Sequence, residues 1–322
     1  MSACVFRTAA FGDLMQASSI FPALKEQGYS LTVVAGEYGI DVIRNDPHVD
    51  TFFLQPNGSV ENDELGEYWK HLSEPFTKFV NLSESVERSL LAVEGDKCFD
   101  WPREFRDLVF SVDYLDAAHA FAGVLDYPKR PKFYRSAKEE KWAKGFRRKL
   151  GLENKVILFP LSGSGLHKAW PHMDQLIARL MIEHPDVRIV FTGDSFCKIL
   201  EYPWRKEKRI HCKADRWQIR DTLSFMPESD LVLGVETGVL NAASFEPIPK
   251  VLLQSHSNAK NVGGNWVNTY SIEPENTPCY PCHKMHWTWK NCHRDEKTGM
   301  ALCMANISAD RVYDAVVKGL YE

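Results

Sequence analysis

A chain of 322 residues is longer than one core fills, since single cores stop growing near roughly 250–300 residues, and about 150 residues per domain gives two domains. Hydrophobic residues make up 44% and charged residues 25%, the balance of an ordinary water-soluble globular chain. Lys and Arg number 39 against 43 Asp and Glu, a net charge of −4, which excludes a protein that grips nucleic acid by bulk positive charge but not a local basic patch.

No stretch approaches the roughly 18 apolar residues of a membrane-spanning helix. The opening Met1-Ser2-Ala3-Cys4-Val5-Phe6-Arg7 lacks the charged and apolar regions of a secretory signal. The expectation is a cytoplasmic chain with no integral membrane segment.

Residues 3–8 read as a short strand running into a small-residue turn that ends in Gly12-Asp13. Leu14, Ala17, Ile20, Phe21 and Leu24 then recur at helical spacing up to a stop at Gly28. Leu31-Thr32-Val33-Val34-Ala35 is the next strand, so the chain opens with a parallel βαβ unit. The alternation resumes with a strand at Phe79-Val80-Asn81-Leu82 and a helix over 85–91. Residues 129–154 are charge-rich and helix-prone. A second series starts at Lys155-Val156-Ile157-Leu158-Phe159-Pro160: helix near 172–183, strand 187–192, helix near 217–226, strand 231–235, helix near 238–246, strand 250–253. Residues 308–320 form a helix with Val312, Ala315, Val316 and Leu320 on one face. These series predict an α/β chain of two doubly wound domains facing a cleft, 1–150 and 151–307, followed by a closing helix at 308–322. No repeat of 20–50 residues and no low-complexity segment interrupts them.

Four constellations carry chemistry-bearing side chains. In Arg7-Thr8-Ala9-Ala10-Phe11-Gly12-Asp13 a strand-to-helix turn lies at the carboxyl edge of a parallel sheet, where ligands of such folds bind. A helix cap is the plainer reading of Asp13 there, because the macrodipole favours a carboxylate at a helix start. In Pro160-Leu161-Ser162-Gly163-Ser164-Gly165-Leu166-His167-Lys168-Ala169-Trp170-Pro171, glycine-freed amides, two hydroxyls and an ammonium can bind a diphosphate. The Gly-Lys-Ser/Thr ending of a Walker loop is absent, and an ordinary loop reads as well. In Leu233-Gly234-Val235-Glu236-Thr237-Gly238-Val239-Leu240-Asn241-Ala242-Ala243, the acid can accept from a sugar hydroxyl while the helix start faces a phosphate. The plainer reading is a helix capped by Thr237.

The fourth is Cys279-x2-Cys282-x9-Cys292-x10-Cys303, a finger over 279–303 that holds four of the eight cysteines. Clustered thiols in a chain without an export signal read first as metal ligands, and four of them suit a closed tetrahedral zinc or iron site. His283, His286 and His293 are spare ligands; free thiols or a disulfide are the alternatives. Trp287 and Trp289 beside them read as packing for a small core.

In this order the pieces resemble glycosyltransferase family 9, the heptosyltransferase-like enzymes of the two-domain GT-B fold, along nearly the whole chain. Arg7…Gly12-Asp13…Pro22…Leu24 resembles the family's first strand, turn and helix. Asn81-Leu82…Glu87-Arg88-Ser89-Leu90-Leu91 resembles its acceptor-side strand and Arg-bearing helix. Ser162-Gly163-Ser164…Lys168-Ala169-Trp170-Pro171 resembles the segment that holds the donor phosphates. Asp230-Leu231-Val232-Leu233-Gly234-Val235-Glu236-Thr237-Gly238, with Ala242, Ala243 and Pro249, is the most specific match. The cysteine tail also occurs in members, some of which use it as a metal-holding finger. The family usually has Asp where Glu236 stands and His where Asn241 stands. Both positions are donor-side, which leaves the donor open between ADP-heptose and another nucleotide sugar.

The resemblance implies inverting sugar transfer with no catalytic metal or other catalytic cofactor, and a structural zinc or iron at most. It makes Asp13 the base and Lys168 the residue that meets the leaving charge, helped by the 162–164 loop and the helix dipole at Gly238. Donor contacts fall on Ser162, Gly163, Ser164, Lys168, Trp217, Glu236, Thr237, Gly238, Val239 and Asn241, with Trp217 against the base unless it is core packing. Arg7, Gly12 and Arg88 fall on the phosphate and acceptor side. The partners are a nucleotide-diphosphate sugar and a glycan, a protein or another hydroxyl-bearing polymer. Three alternatives stay open: an epimerase on the same fold, an inactive nucleotide-sugar-binding scaffold, and, more weakly, a nucleic-acid-binding metal module using Lys284, Lys290, Arg294 and Lys297.

Overall fold

Where β-branched and apolar runs alternate with helices, the described residues build two wholly parallel sheets, one of four strands and one of six. The computed structural model describes all residues except 9, 57, 62–63, 84–91, 93, 96, 162, 164 and 287–288. The expected helix over 85–91 therefore lies outside the described residues. Among the described residues no helix is long and apolar enough to cross a membrane.

Unit 1 comprises Met1–Leu90 and Val112–Tyr134. Its sheet runs β3-β2-β1-β4, with β1 Ser2–Phe6, β2 Ser30–Ala35, β3 Thr51–Leu54 and β4 Lys78–Asn81. β1 is central, paired on both sides, and its Ala3, Cys4 and Val5 are fully buried. The helical run follows as Phe11–Ala17 and Phe21–Glu26, joined by a 3-10 turn at Ser18–Ile20. Leu14, Ala17, Ile20, Phe21 and Leu24 are buried on its inner side, and Gly28 ends it at φ +83°, a left-handed conformation that favours glycine. β3 is a short edge strand with three of its four residues exposed.

Unit 2 comprises Leu91–Ser111 and Arg135–Glu322. Its sheet runs β10-β9-β8-β5-β6-β7: β5 Lys155–Pro160, β6 Val187–Thr192, β7 Ile210–Cys212, β8 Leu231–Val235, β9 Lys250–Leu253 and β10 Thr269–Ile272. The four inner strands have the bounds that the sequence gives them. Being covered on both faces, they are near-continuous apolar runs.

The boundary expected at residue 150 needs correction. The helix Ala137–Lys149 belongs to unit 2, because Trp142 and Phe146 pack edge-to-face on Trp217 and Glu139 pairs with Arg220 at 2.6 Å. The segment before Ser111 belongs there too: Arg106 Nε donates to the Cys282 carbonyl at 2.7 Å and Arg103 Nη1 to the Tyr280 carbonyl at 2.9 Å. The closing helix, Ala309–Tyr321, is part of the same core, with Val312 and Val316 fully buried among residues of β8 and β9. Pairings distant in sequence decide all three assignments.

Candidate active site

In unit 1 the backbone continues past β1, and Arg7 N–H donates to the Val34 carbonyl at 2.9 Å. The Arg7 guanidinium is buried, donating from Nη1 to the Thr8 carbonyl at 2.9 Å and from Nη2 to Asp13 Oδ2 at 2.7 Å. Asp13 is the third residue of the helix Phe11–Ala17, whose N-cap is Ala10, and no side chain caps that end. The carboxylate is thus a first-turn anion held by Arg7, which corrects the cap reading. It keeps 30% of its side chain exposed. Gly12 is buried beside it. Thr8 N–H donates to Ser83 Oγ at 3.0 Å, tying the turn to the chain just past β4. Arg88 lies outside the described residues.

In unit 2, β5 is followed by the 3-10 turn Leu166–Lys168. Ser162 and Ser164 lie outside the described residues. A Cβ placed on Gly163 would stand 2.5 Å from Lys168 Cδ, so the lysine stem lies flush against this glycine. The buried Lys168 ammonium donates to the Glu236 carbonyl at 2.9 Å and stands 3.5 Å from Glu236 Oε2. Glu236 directly follows β8 and is buried as well. Thr237 caps the helix Gly238–Ala243, its Oγ1 accepting from Leu240 N–H at 3.3 Å. This helix ends earlier than the sequence suggested, shortly before Pro247 and Pro249. Val239 is buried and Asn241 half-buried in it. Trp217 is half-buried in an aromatic cluster, edge-to-face on Trp142, Phe146 and Phe225 at 5.0–5.4 Å between ring centres.

Sequence reasoning missed Ser255, His256 and His167. Ser255 donates from Oγ to Glu236 Oε2 at 2.9 Å and from its N–H to Oε1 at 3.3 Å. His256 Nδ1 stands 3.1 Å from Ser255 Oγ, 3.2 Å from His167 Nε2 and 3.5 Å from Glu236 Oε2. Burial, reinforced by Lys168, holds His256 well below the ordinary histidine range. Burial, with His256 and Lys168 adding, takes His167 to about 2. Both rings are therefore neutral at pH 7. The signal available was a Ser-His pair just after a buried strand of a parallel sheet, at its carboxyl edge.

The four finger cysteines line one cavity of about 30 Å³ together with His167, His256, His286 and Tyr280. That volume suits a water or an ion and is far too small for a nucleotide. All four are free thiols. Burial and the neighbouring thiols push Cys282 to about 12 and Cys292 to about 11 and raise Cys303, while burial raises Cys279. Cys282 Sγ stands 3.6 Å from His286 Nε2. Among the described residues no group of three or more His, Cys, Asp or Glu side chains is set to hold a metal ion.

No family model and no curated protein matches the sequence. The fold, however, is shared with solved glycosyltransferases along essentially the whole chain. A glycosyltransferase family 9 structure from Veillonella parvula is 13% identical, with 99% of this chain and 97% of that one covered and a TM-score of 0.70. The ADP-heptose lipopolysaccharide heptosyltransferase II of E. coli is 15% identical, with 99% and 98% covered and a TM-score of 0.66. TibC of enterotoxigenic E. coli, a dodecameric iron-containing heptosyltransferase solved with ADP-D-beta-D-heptose, is 14% identical, with 98% and 75% covered and a TM-score of 0.60. The chain has the heptosyltransferase-like GT-B fold that its motifs resemble.

Proposed function

We propose that the chain is an inverting glycosyltransferase of the family 9 type, moving a sugar from a nucleoside-diphosphate donor to an acceptor hydroxyl. The observation that carries the reading is the Lys168–Glu236 constellation at the carboxyl edge of the unit 2 sheet. A desolvated ammonium beside a glycine loop is suited to a leaving diphosphate. ADP-heptose is the first donor to try, because two of the similar structures are named for it or hold it. Ser162, Gly163, Ser164, Thr237 and Gly238 would frame the phosphates, and Val239, Asn241 and Trp217 the sugar and base.

In the transfer, the acceptor oxygen forms a bond to the anomeric carbon as the bond from that carbon to the phosphate oxygen breaks. Asp13 takes the acceptor proton, held in place by Arg7. Lys168 meets the charge that develops on the departing diphosphate. Arg88 and Gly12 belong to the acceptor side of this reading. The experiment is incubation with a panel of nucleotide sugars, with and without candidate hydroxyl-bearing acceptors, scored for nucleoside diphosphate and for sugar product. The expected result is release from one donor that rises when the true acceptor is added. Epimerised sugar without release would make the chain an epimerase, and donor binding without any product would make it a scaffold.

The finger thiols fit a structural zinc or iron by chemistry, since four sulfurs line one ion-sized cavity and none is tied in a disulfide. Cys279, Cys282, Cys292 and Cys303 would hold the ion, which would lower their raised proton affinities and stabilise unit 2. Elemental analysis of purified protein is expected to find about one ion per chain. Four titratable thiols in a stable, metal-free protein would remove the ion from the account.

A further inference from the structure

We infer that Ser255 and His256 are positioning residues for Lys168, acting through the Glu236 carboxylate. This rests on the reading of Lys168 as the donor-diphosphate residue. The Lys168 ammonium has three donor directions. Among the described residues, two of them are accounted for by Glu236, at its carbonyl (2.9 Å) and at Oε2 (3.5 Å). One direction remains for a phosphate oxygen, and where it points is set by where Glu236 sits.

The Glu236 carboxylate is fixed in turn from β9. β8 and β9 run in parallel with Val235 opposite Leu253, so the residue after β8 emerges beside the residues after β9. That register brings Ser255 alongside Glu236, with its hydroxyl 2.9 Å from Oε2 and its amide 3.3 Å from Oε1. Ser255 is 1% exposed, and a buried carboxylate left short of donors is costly. His256 closes the far side, its Nδ1 3.1 Å from the same hydroxyl and 3.2 Å from His167 Nε2, so its one ring proton, donated to the hydroxyl, leaves the hydroxyl's own proton for Glu236. Ser255 and His256 thus bracket the Glu236 carboxylate behind the lysine.

The test is a double-mutant cycle on the full chain, using Ser255→Ala, Lys168→Met and the pair, with Ser255→Thr as the conservative control. Two readouts are taken on each: affinity for ADP and UDP by calorimetry, and the rate at which Lys168 is acetylated by acetic anhydride, read by mass spectrometry. Loss of one charge-assisted hydrogen bond predicts about a ten-fold weaker nucleotide affinity in Ser255→Ala, largely restored in Ser255→Thr. In the Lys168→Met background Ser255→Ala is expected to cost nothing further, because its effect passes through the lysine. Lys168 acetylation is expected to quicken in Ser255→Ala and not in Ser255→Thr. Equal loss in both backgrounds, or unchanged Lys168 labelling in Ser255→Ala, would overturn the inference. If the wild type binds neither nucleotide, the donor reading is what fails, and the labelling still decides whether Ser255 holds Lys168.

Discussion

In unit 1 a fully buried arginine stands behind a carboxylate that keeps 30% of its surface open. In unit 2 lysine and carboxylate are both buried, and it is the carboxylate that stands behind, wrapped by Ser255. The unit 1 pair follows one central strand and the unit 2 pair two neighbouring central strands, β5 and β8, yet they present opposite charges. The difference matches the two tasks of the proposed reaction. A group that must take a proton from an incoming hydroxyl has to be reachable, whereas a group that attracts a diphosphate acts more strongly where water is excluded.

The sharpest break between the units comes from Asp13→Asn. The amide keeps the size of the carboxylate but cannot take a proton at neutral pH, so transfer should fall at least ~10²-fold. Because Ala10 is the N-cap, the helix start loses no cap in this variant. Steady-state transfer to the true acceptor checks it, and activity within a few-fold of wild type would reduce Asp13 to a partner of Arg7.

Acid should separate the units by stability. His167 and His256 are held neutral in folded unit 2, whereas in the unfolded chain they protonate near the ordinary value of about 6.5. The unfolded state therefore binds more protons below that value. Stability is fully present above it and is lost as pH falls from about 6.5 toward the folded values. His211, His283 and His286 of the same unit are lowered by burial too, so unit 2 should lose stability between pH 7.5 and 5.5. In unit 1 His119 is lowered by burial and predicts a smaller loss. Hydrogen exchange resolved by peptide at the two pH values measures each unit, and equal losses in both would contradict the burial argument.

Gly163→Ala is the finer probe. The added methyl would meet the middle of the Lys168 stem at 2.5 Å, and the lysine must move aside. Nucleotide affinity should weaken a few-fold, with the fold intact by circular dichroism. Unchanged affinity would mean that Lys168 does not need its observed place.

Legibility in the sequence differed between the units for physical reasons. The inner strands of unit 2 were read to the residue because a sheet covered on both faces writes itself as unbroken apolar runs. β3 of unit 1, Thr51-Phe52-Phe53-Leu54, has β-forming residues but no polar–apolar alternation to mark it, because it is exposed at a sheet edge. Lys168, Glu236 and Asp13 were legible because each follows a strand at a turn. Ser255 and His256 were not, since their importance comes from the register between β8 and β9, which no local pattern encodes. The split at residue 150 failed in the same way, because the Trp142, Phe146 and Trp217 contacts join segments about 70 residues apart.

The central claim is a division of labour: unit 2 holds the donor and unit 1 supplies the base. Calorimetric titration of ADP into Asp13→Asn and Lys168→Met, beside the wild type, tests it most directly. The account predicts wild-type affinity for Asp13→Asn and a clear loss for Lys168→Met. Affinity lost in Asp13→Asn and kept in Lys168→Met would contradict it.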